Sequence, residues 1–114
     1  MKTDRRVFVT LRVAGFHCWP EAPQEVAYLA SRHRHLFHVR VEWQVRHEER
    51  DVEFHIAQGW VRDAFRQRFG EEPVEFGARS CETIATWLHE ALLRKPVAVE
   101  ISEDGENGAR LEWT

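Results

Sequence analysis

The seven histidines of this chain are unevenly spread: His33, His35 and His38 lie within six residues of one another, and His17 stands just upstream. Side chains on a strand alternate with a period of two, so a His-x-His pair puts two imidazoles on one face, whereas adjacent histidines would point apart. Extending the alternation Phe37, Val39, Val41, Trp43 and Val45 backwards gives His33 and His35 the buried parity. His17 shares the buried parity of Val7, Val9, Leu11, Val13 and Gly15. Three neutral imidazoles meeting near the ends of two adjacent strands offer three nitrogens at about 2.0 Å from a zinc ion, with a fourth position left for water or substrate. That is the arrangement of an open catalytic site. A His-x-His at a strand start also arises as a solvated strand end, and this reading stands beside the metal one. His38 and His55 fall on outward parities, His47 in a polar turn and His89 on a helix, so these four read as surface. Cys18 points away from His17, and Cys81, at a helix start, reads as an inert thiol or one of lowered pKa.

The elements that must position these groups follow from periodicity. Residues Val7 to His17 alternate as a half-buried strand, and the prolines of Cys18-Trp19-Pro20-Glu21-Ala22-Pro23 then stop any ladder. An indistinct stretch reaches Arg32. The strand carrying Phe37 to Val45 follows, then the polar turn His47-Glu48-Glu49-Arg50, and Val52, Phe54 and Ile56 predict a short returning strand. From Ala57 the period becomes helical, with Trp60, Val61, Ala64, Phe65 and Phe69 on one stripe and Gly70 as its stop. Glu71 to Arg79 reads as a connector. Ser80 stands at a helix N-cap with Glu82 in the first turn, and Ile84, Ala85, Leu88, Ala91 and Leu92 form the buried stripe of a second helix that Pro96 ends. Val97, Val99, Ile101 and Glu103 then pair through the turn Asp104 to Gly108 with Ala109, Leu111 and Trp113. An antiparallel sheet with both helices on one face buries these stripes, an α+β architecture.

The chain has 114 residues, a net charge of −3 and 43% hydrophobic residues, the size and composition of one domain. The charge argues against holding nucleic acid by an overall field. No apolar run approaches the ~20 residues of a membrane span, and no secretory signal is present, so a cytoplasmic address is the expectation. Two cysteines are too few for a disulfide framework.

His17, followed by His33-Arg34-His35-Leu36-Phe37-His38-Val39-Arg40-Val41, resembles the pattern of the 6-pyruvoyltetrahydropterin and 6-carboxytetrahydropterin synthase family. There one His ends the first strand and a His-Gly-His opens the second. Val52-Glu53-Phe54 resembles the family's Val-x-Asp-Phe before the first helix. Ser80-Cys81-Glu82-Thr83-Ile84-Ala85 resembles its Thr-x-Glu-Asn-Leu-Ala at the second, and Val99-Glu100-Ile101-Ser102-Glu103 its penultimate strand. The resemblance spans nearly the whole chain in order. It implies a ββααββ tunnelling fold whose subunits, six in the family's pattern, close into an oligomeric β-barrel with ligand sites at subunit interfaces. It also implies zinc held by His17, His33 and His35, and a pterin-type heterocycle gripped through Glu103, with Glu82 beside it. A carboxylate facing two adjacent N–H donors makes a bidentate, charge-assisted pair.

Three departures accompany these matches. Leu29 stands where the family has its Cys, four residues before the His-x-His; Gly70 to Arg79 contains no Asp-His pair; and Arg34 replaces the central Gly. Without a positioned base, proton abstraction would lose about 10²–10⁴-fold. Three functions therefore compete: a zinc enzyme acting on a pterin, deazapurine precursor or similar heterocycle; a non-catalytic relative that keeps the zinc and binds a pterin, purine or nucleotide; and a purely structural oligomer.

Overall fold

The two best alternations become two twelve-residue strands, β1 (Arg6–His17) and β2 (His33–Gln44), in the computed structural model, which describes residues 2–114. They pair antiparallel along their full length, from Arg6 opposite Gln44 to His17 opposite His33. Between them Gln24–Ala30 winds as a 3-10 stretch with none of its residues buried. The chain continues through helix α1 (Phe54–Phe69), strand β3 (Val74–Gly77), helix α2 (Cys81–Ala91) and the hairpin β4 (Ala98–Glu103) and β5 (Asn107–Glu112). The sheet order is β3-β1-β2-β4-β5.

Several expectations need correction. The sheet is mixed, because β3 runs parallel to β1 inside the segment read as a connector. Only Val74 and Phe76 of that strand are buried, too short an alternation to stand out beside Pro73 and Gly77. The sheet of one chain is open, with β3 and β5 at its edges; the barrel expected above is one closed by several subunits. The returning strand at Val52, Phe54 and Ile56 does not form. Val52 is buried, but Phe54 opens α1 and Ile56 lies on its exposed side. The Glu53 carboxylate caps that helix by accepting the Ile56 N–H at 3.0 Å, and the stripe Ala57, Val61 and Phe65 holds it to the sheet. A cap plus three turns of apolar stripe outweighs a three-residue alternation with no strand beside it.

Helix α2 begins as expected, with the Ser80 hydroxyl accepting the Thr83 N–H at 3.1 Å. It ends earlier. Ala91 is exposed, and Leu92, though buried, is already extended. The Lys95 ammonium donates to the carbonyls of Glu90 and Leu92, satisfying groups that a further helical turn would have used. Both helices cover the odd-numbered face of the sheet, where Val9, Val13, Phe37, Val39, Val41, Trp43, Val99 and Ile101 meet Val61, Phe65, Ile84 and Leu88. Trp43 is fully buried and its indole N–H donates to the Arg94 carbonyl at 3.0 Å, so its polar atom is satisfied. No helix is long and apolar enough to cross a membrane.

The opposite face carries an ionic cluster. Glu42 is buried to 7% exposure and accepts from Arg110 at 2.8 and 3.0 Å and from Arg40 at 3.1 Å, with Arg6 at 3.5 Å and Glu112 beyond. The Arg110 guanidinium, more than any other neighbour, holds the Glu42 carboxyl down to about 2, against the opposing effect of burial. A carboxylate with a depressed folded-state pKa stabilises fully above its unfolded value and loses that stabilisation as pH falls toward the folded one. Thermal unfolding of the wild type should therefore weaken between about pH 4.5 and 2 in a way that Glu42→Gln does not. At neutral pH the variant should be less stable by roughly 1–3 kcal/mol. Parallel melting curves for the two proteins across this pH range would contradict the role.

Candidate metal centre

The β1–β2 register carries the site. His17 is directly opposite His33, and His35 is opposite Gly15, two residues along the same face. Gly15 has no side chain because a Cβ there would meet the Phe76 ring at 2.8 Å, so the backbone under His35 packs against β3. The ring centroids lie 4.6 Å (His17–His33), 5.2 Å (His17–His35) and 5.0 Å (His33–His35) apart. One ligand atom from each ring falls within 4.8 Å of the other two. Phe37, fully buried, supports His17 and His35 edge to face from below.

The outer nitrogens fix the tautomer of each neutral ring. His17 Nδ1 donates to the Arg79 carbonyl at 3.1 Å, His33 Nδ1 to the Ser31 carbonyl at 2.7 Å, and His35 Nδ1 to the Asp104 carboxylate at 2.7 Å. None of these oxygens can donate a proton, so each Nδ1 must carry the hydrogen and each neutral ring keeps a bare Nε2. Such outer hydrogen bonds orient metal-binding histidines and raise their basicity. Burial pushes the His17 pKa below the ordinary histidine range, favouring the neutral ring that a metal requires. The Nε2 atoms of His17 and His35 are buried and make no hydrogen bond. Two buried lone pairs facing each other are costly unless a cation lies between them, so the residues present fit a divalent metal.

No protein-family model matches the chain, and a sequence comparison with curated proteins finds no match. Solved structures are. A 6-pyruvoyl tetrahydropterin synthase from Caenorhabditis elegans aligns at a TM-score of 0.62 and 10% identity over 100% of both chains. The chain shares the fold of that synthase. An uncharacterized protein from Wolinella succinogenes aligns at a TM-score of 0.72 and 14% identity, over 97% of this chain and 99% of its own.

On this pterin-synthase fold the remaining expectations fall as follows. A cleft of about 510 Å³ opens beside the histidines, lined by His17, His33, Trp19, Leu29, Cys81, Glu82 and Glu103 among others. Glu82 is exposed in the first turn of α2, and Glu103 ends β4. Leu29 thus presents a hydrocarbon to the cleft. Cys81 lies in the same wall, but burial, with Glu103 and Glu82 nearby, pushes its thiol up to about 11, the reverse of a lowered pKa. Arg34 is exposed on the far face of β2, so it leaves the imidazoles undisturbed. His47 and His55 are exposed, and His89 stacks on Trp113 at 3.8 Å, far from the triad in the fold.

Sequence reasoning passed over Asp104, assigning it only to a turn. Its carboxylate holds His35 with one oxygen and accepts the Leu36 N–H at 2.9 Å with the other, while its own N–H donates to the Leu36 carbonyl. The Leu36 N–H, and His35 after it, keep the Asp104 carboxyl below the usual carboxylate range. Asp104→Asn keeps the shape and the positive φ of 58° but removes the charge behind His35. Zinc affinity measured by chelator competition should fall about 10–100-fold, with little change in melting temperature. Unchanged affinity would rule out an orienting role for Asp104.

Proposed function

We propose that this chain is a zinc-binding protein of the pterin-synthase fold that takes a pterin, a deazapurine precursor or a similar heterocycle in the cleft beside the metal. It works as a binder, without the family's proton-transfer reaction. The observation that carries the metal is the convergence of three imidazoles whose Nδ1 atoms are all engaged outward. When bound, zinc supplies Lewis-acid polarisation of oxygen atoms on the ligand's side chain.

The choice of binder over lyase rests on what faces the cleft. Leu29 can neither take nor give a proton, and Cys81 is a protonated thiol at neutral pH. Between the helices, Glu72 is engaged by the Ala14 N–H and Glu75 by Arg32. Glu82 and Glu103 offer carboxylates suited to the amino and ring N–H groups of a heterocycle. The edge strands β3 and β5 retain unpaired backbone groups, and such edges pair with further chains unless blocked. Six copies closing a barrel through them, as the sequence resemblance implies, would complete the cleft from a neighbouring subunit.

Metal analysis of protein purified with zinc should find about one ion per chain, and His33→Ala should lose it. Addition of a pterin should quench tryptophan fluorescence, and Trp19→Phe should remove most of that quench, because Trp19 lines the cleft and is 48% exposed. Prolonged incubation should return the pterin unchanged. New product would restore the lyase reading, while zinc-free protein unaffected by His33→Ala would leave a structural oligomer.

A further inference from the structure

The Glu103 carboxylate is in an unusual position for a group whose expected task is to meet a heterocycle. Its Oε2 stands 3.0 Å from His17 Nε2 and its Oε1 3.7 Å from His35 Nε2. Both nitrogens are the bare ones, since both rings spend their hydrogen on the Nδ1 side. Lone pairs of a carboxylate and of a neutral imidazole repel at such distances, so the contact calls for a cation there, a proton on the ring or a metal ion between them, and the burial that favours a neutral His17 favours the metal. Among the described residues no N–H or O–H is hydrogen-bonded to this carboxylate, so ring nitrogens are its polar neighbours.

The carboxylate faces the open side of the triad. Ligands at about 2.0–2.1 Å from a tetrahedral zinc are separated from one another by about 3.3 Å. Glu103 approaches that spacing through one oxygen at His17 and the other at His35, while the atoms already within 4.8 Å of one another are those of the three histidines, so a side-chain rotation completes the set. The backbone holds the side chain to this task. Glu103 is opposite Phe37 in the β2–β4 register, one step inward from the histidine rim and on the same parity as Ile101. Its carbonyl accepts the Glu106 N–H at 3.0 Å, and the next residue, Asp104, clasps Leu36 in both directions. The side chain is 26% exposed, reachable from the cleft yet directed at the rings.

We infer that Glu103 is the fourth ligand of the His17–His33–His35 centre, closing the coordination position that an open site would leave to solvent. The inference rests on the zinc reading above and sharpens it. A ligand enters this site by displacing a protein carboxylate, and the displaced Glu103 is then available to the ligand's N–H edge. The carboxylate acts as a selectivity device: small anions that bind open zinc sites are excluded, whereas a heterocycle offering both an oxygen for the metal and N–H donors for Glu103 is admitted.

The test uses the full chain, as wild type, Glu103→Gln and Glu103→Asp, each loaded with zinc for affinity and with cobalt(II) for visible spectroscopy. Gln keeps the shape and ligates poorly, while Asp keeps the charge and is one methylene too short. Wild type should show a four-coordinate cobalt spectrum that azide does not change. Both variants should bind zinc at least about 10–100-fold more weakly, and their cobalt spectra should respond to azide. Melting curves of the metal-free proteins control for folding, and if one variant fails to fold the other carries the comparison. Equal zinc affinity in all three proteins, with azide perturbing wild type as strongly as the variants, would overturn Glu103 ligation while leaving the three-histidine centre intact. Failure of wild type to take up either metal would overturn the centre itself, and this inference with it.

Discussion

Everything at the functional end of this molecule depends on the pairing of β1 with β2. A twelve-residue antiparallel ladder leaves His17 facing His33 across its last rung, with His35 one repeat further in. Because side-chain direction alternates residue by residue, a slip of one position would send the His33 and His35 imidazoles to the solvent face together. The slip is opposed by the same pairing along the rest of the ladder. Val9 opposite Val41 and Val13 opposite Phe37 are buried beneath both helices, and moving them outward would expose most of the core. The histidine cluster is thus held in register by hydrophobic burial along the rest of the ladder.

The centre is oriented by groups from three separate parts of the chain. Ser31 lies just before β2, Arg79 just before α2, and Asp104 in the hairpin turn, each presenting an oxygen to one Nδ1. Strand β3 matters here although it is only four residues long. It seats Phe76 beneath Phe37 and brings the chain past His17, so that the Cys18 N–H reaches the Gly77 carbonyl and the Arg79 carbonyl reaches the ring. The outer shell therefore depends on the complete fold, and a fragment containing only the two long strands and their connection would keep the Ser31 partner of His33 but lose the partners that orient His17 and His35.

The likeness to 6-pyruvoyl tetrahydropterin synthase concerns the fold. In this chain Leu29 presents a hydrocarbon to the cleft, Cys81 a thiol pushed up to about 11, and the segment between the helices holds glutamates that are engaged elsewhere. What remains is a histidine triad with the geometry to hold a metal ion and a carboxylate against it. Under the reading proposed above that set holds a ligand without transforming it, consistent with one architecture hosting different functions.

Period-two runs over residues 7–17 and 37–45, helical stripes from Ala57 and from Ile84, and a Ser80 cap made most of the element order legible from composition and spacing alone. They also determined that His17, His33 and His35 share a face, since parity is a local property of a strand. Where the alternation was brief, as at Val52 to Ile56 and Val74 to Gly77, local pattern could not decide. A helix cap prevailed in the first case and a parallel partner in the second. Tertiary structure alone decided which nitrogen of each neutral imidazole is bare, that Asp104 belongs to the site, and that Glu103 stands against the imidazoles themselves. These facts depend on residues 62 to 86 positions apart in the chain meeting at one rim. No periodicity encodes such a meeting, because it follows from how the finished sheet and helices pack.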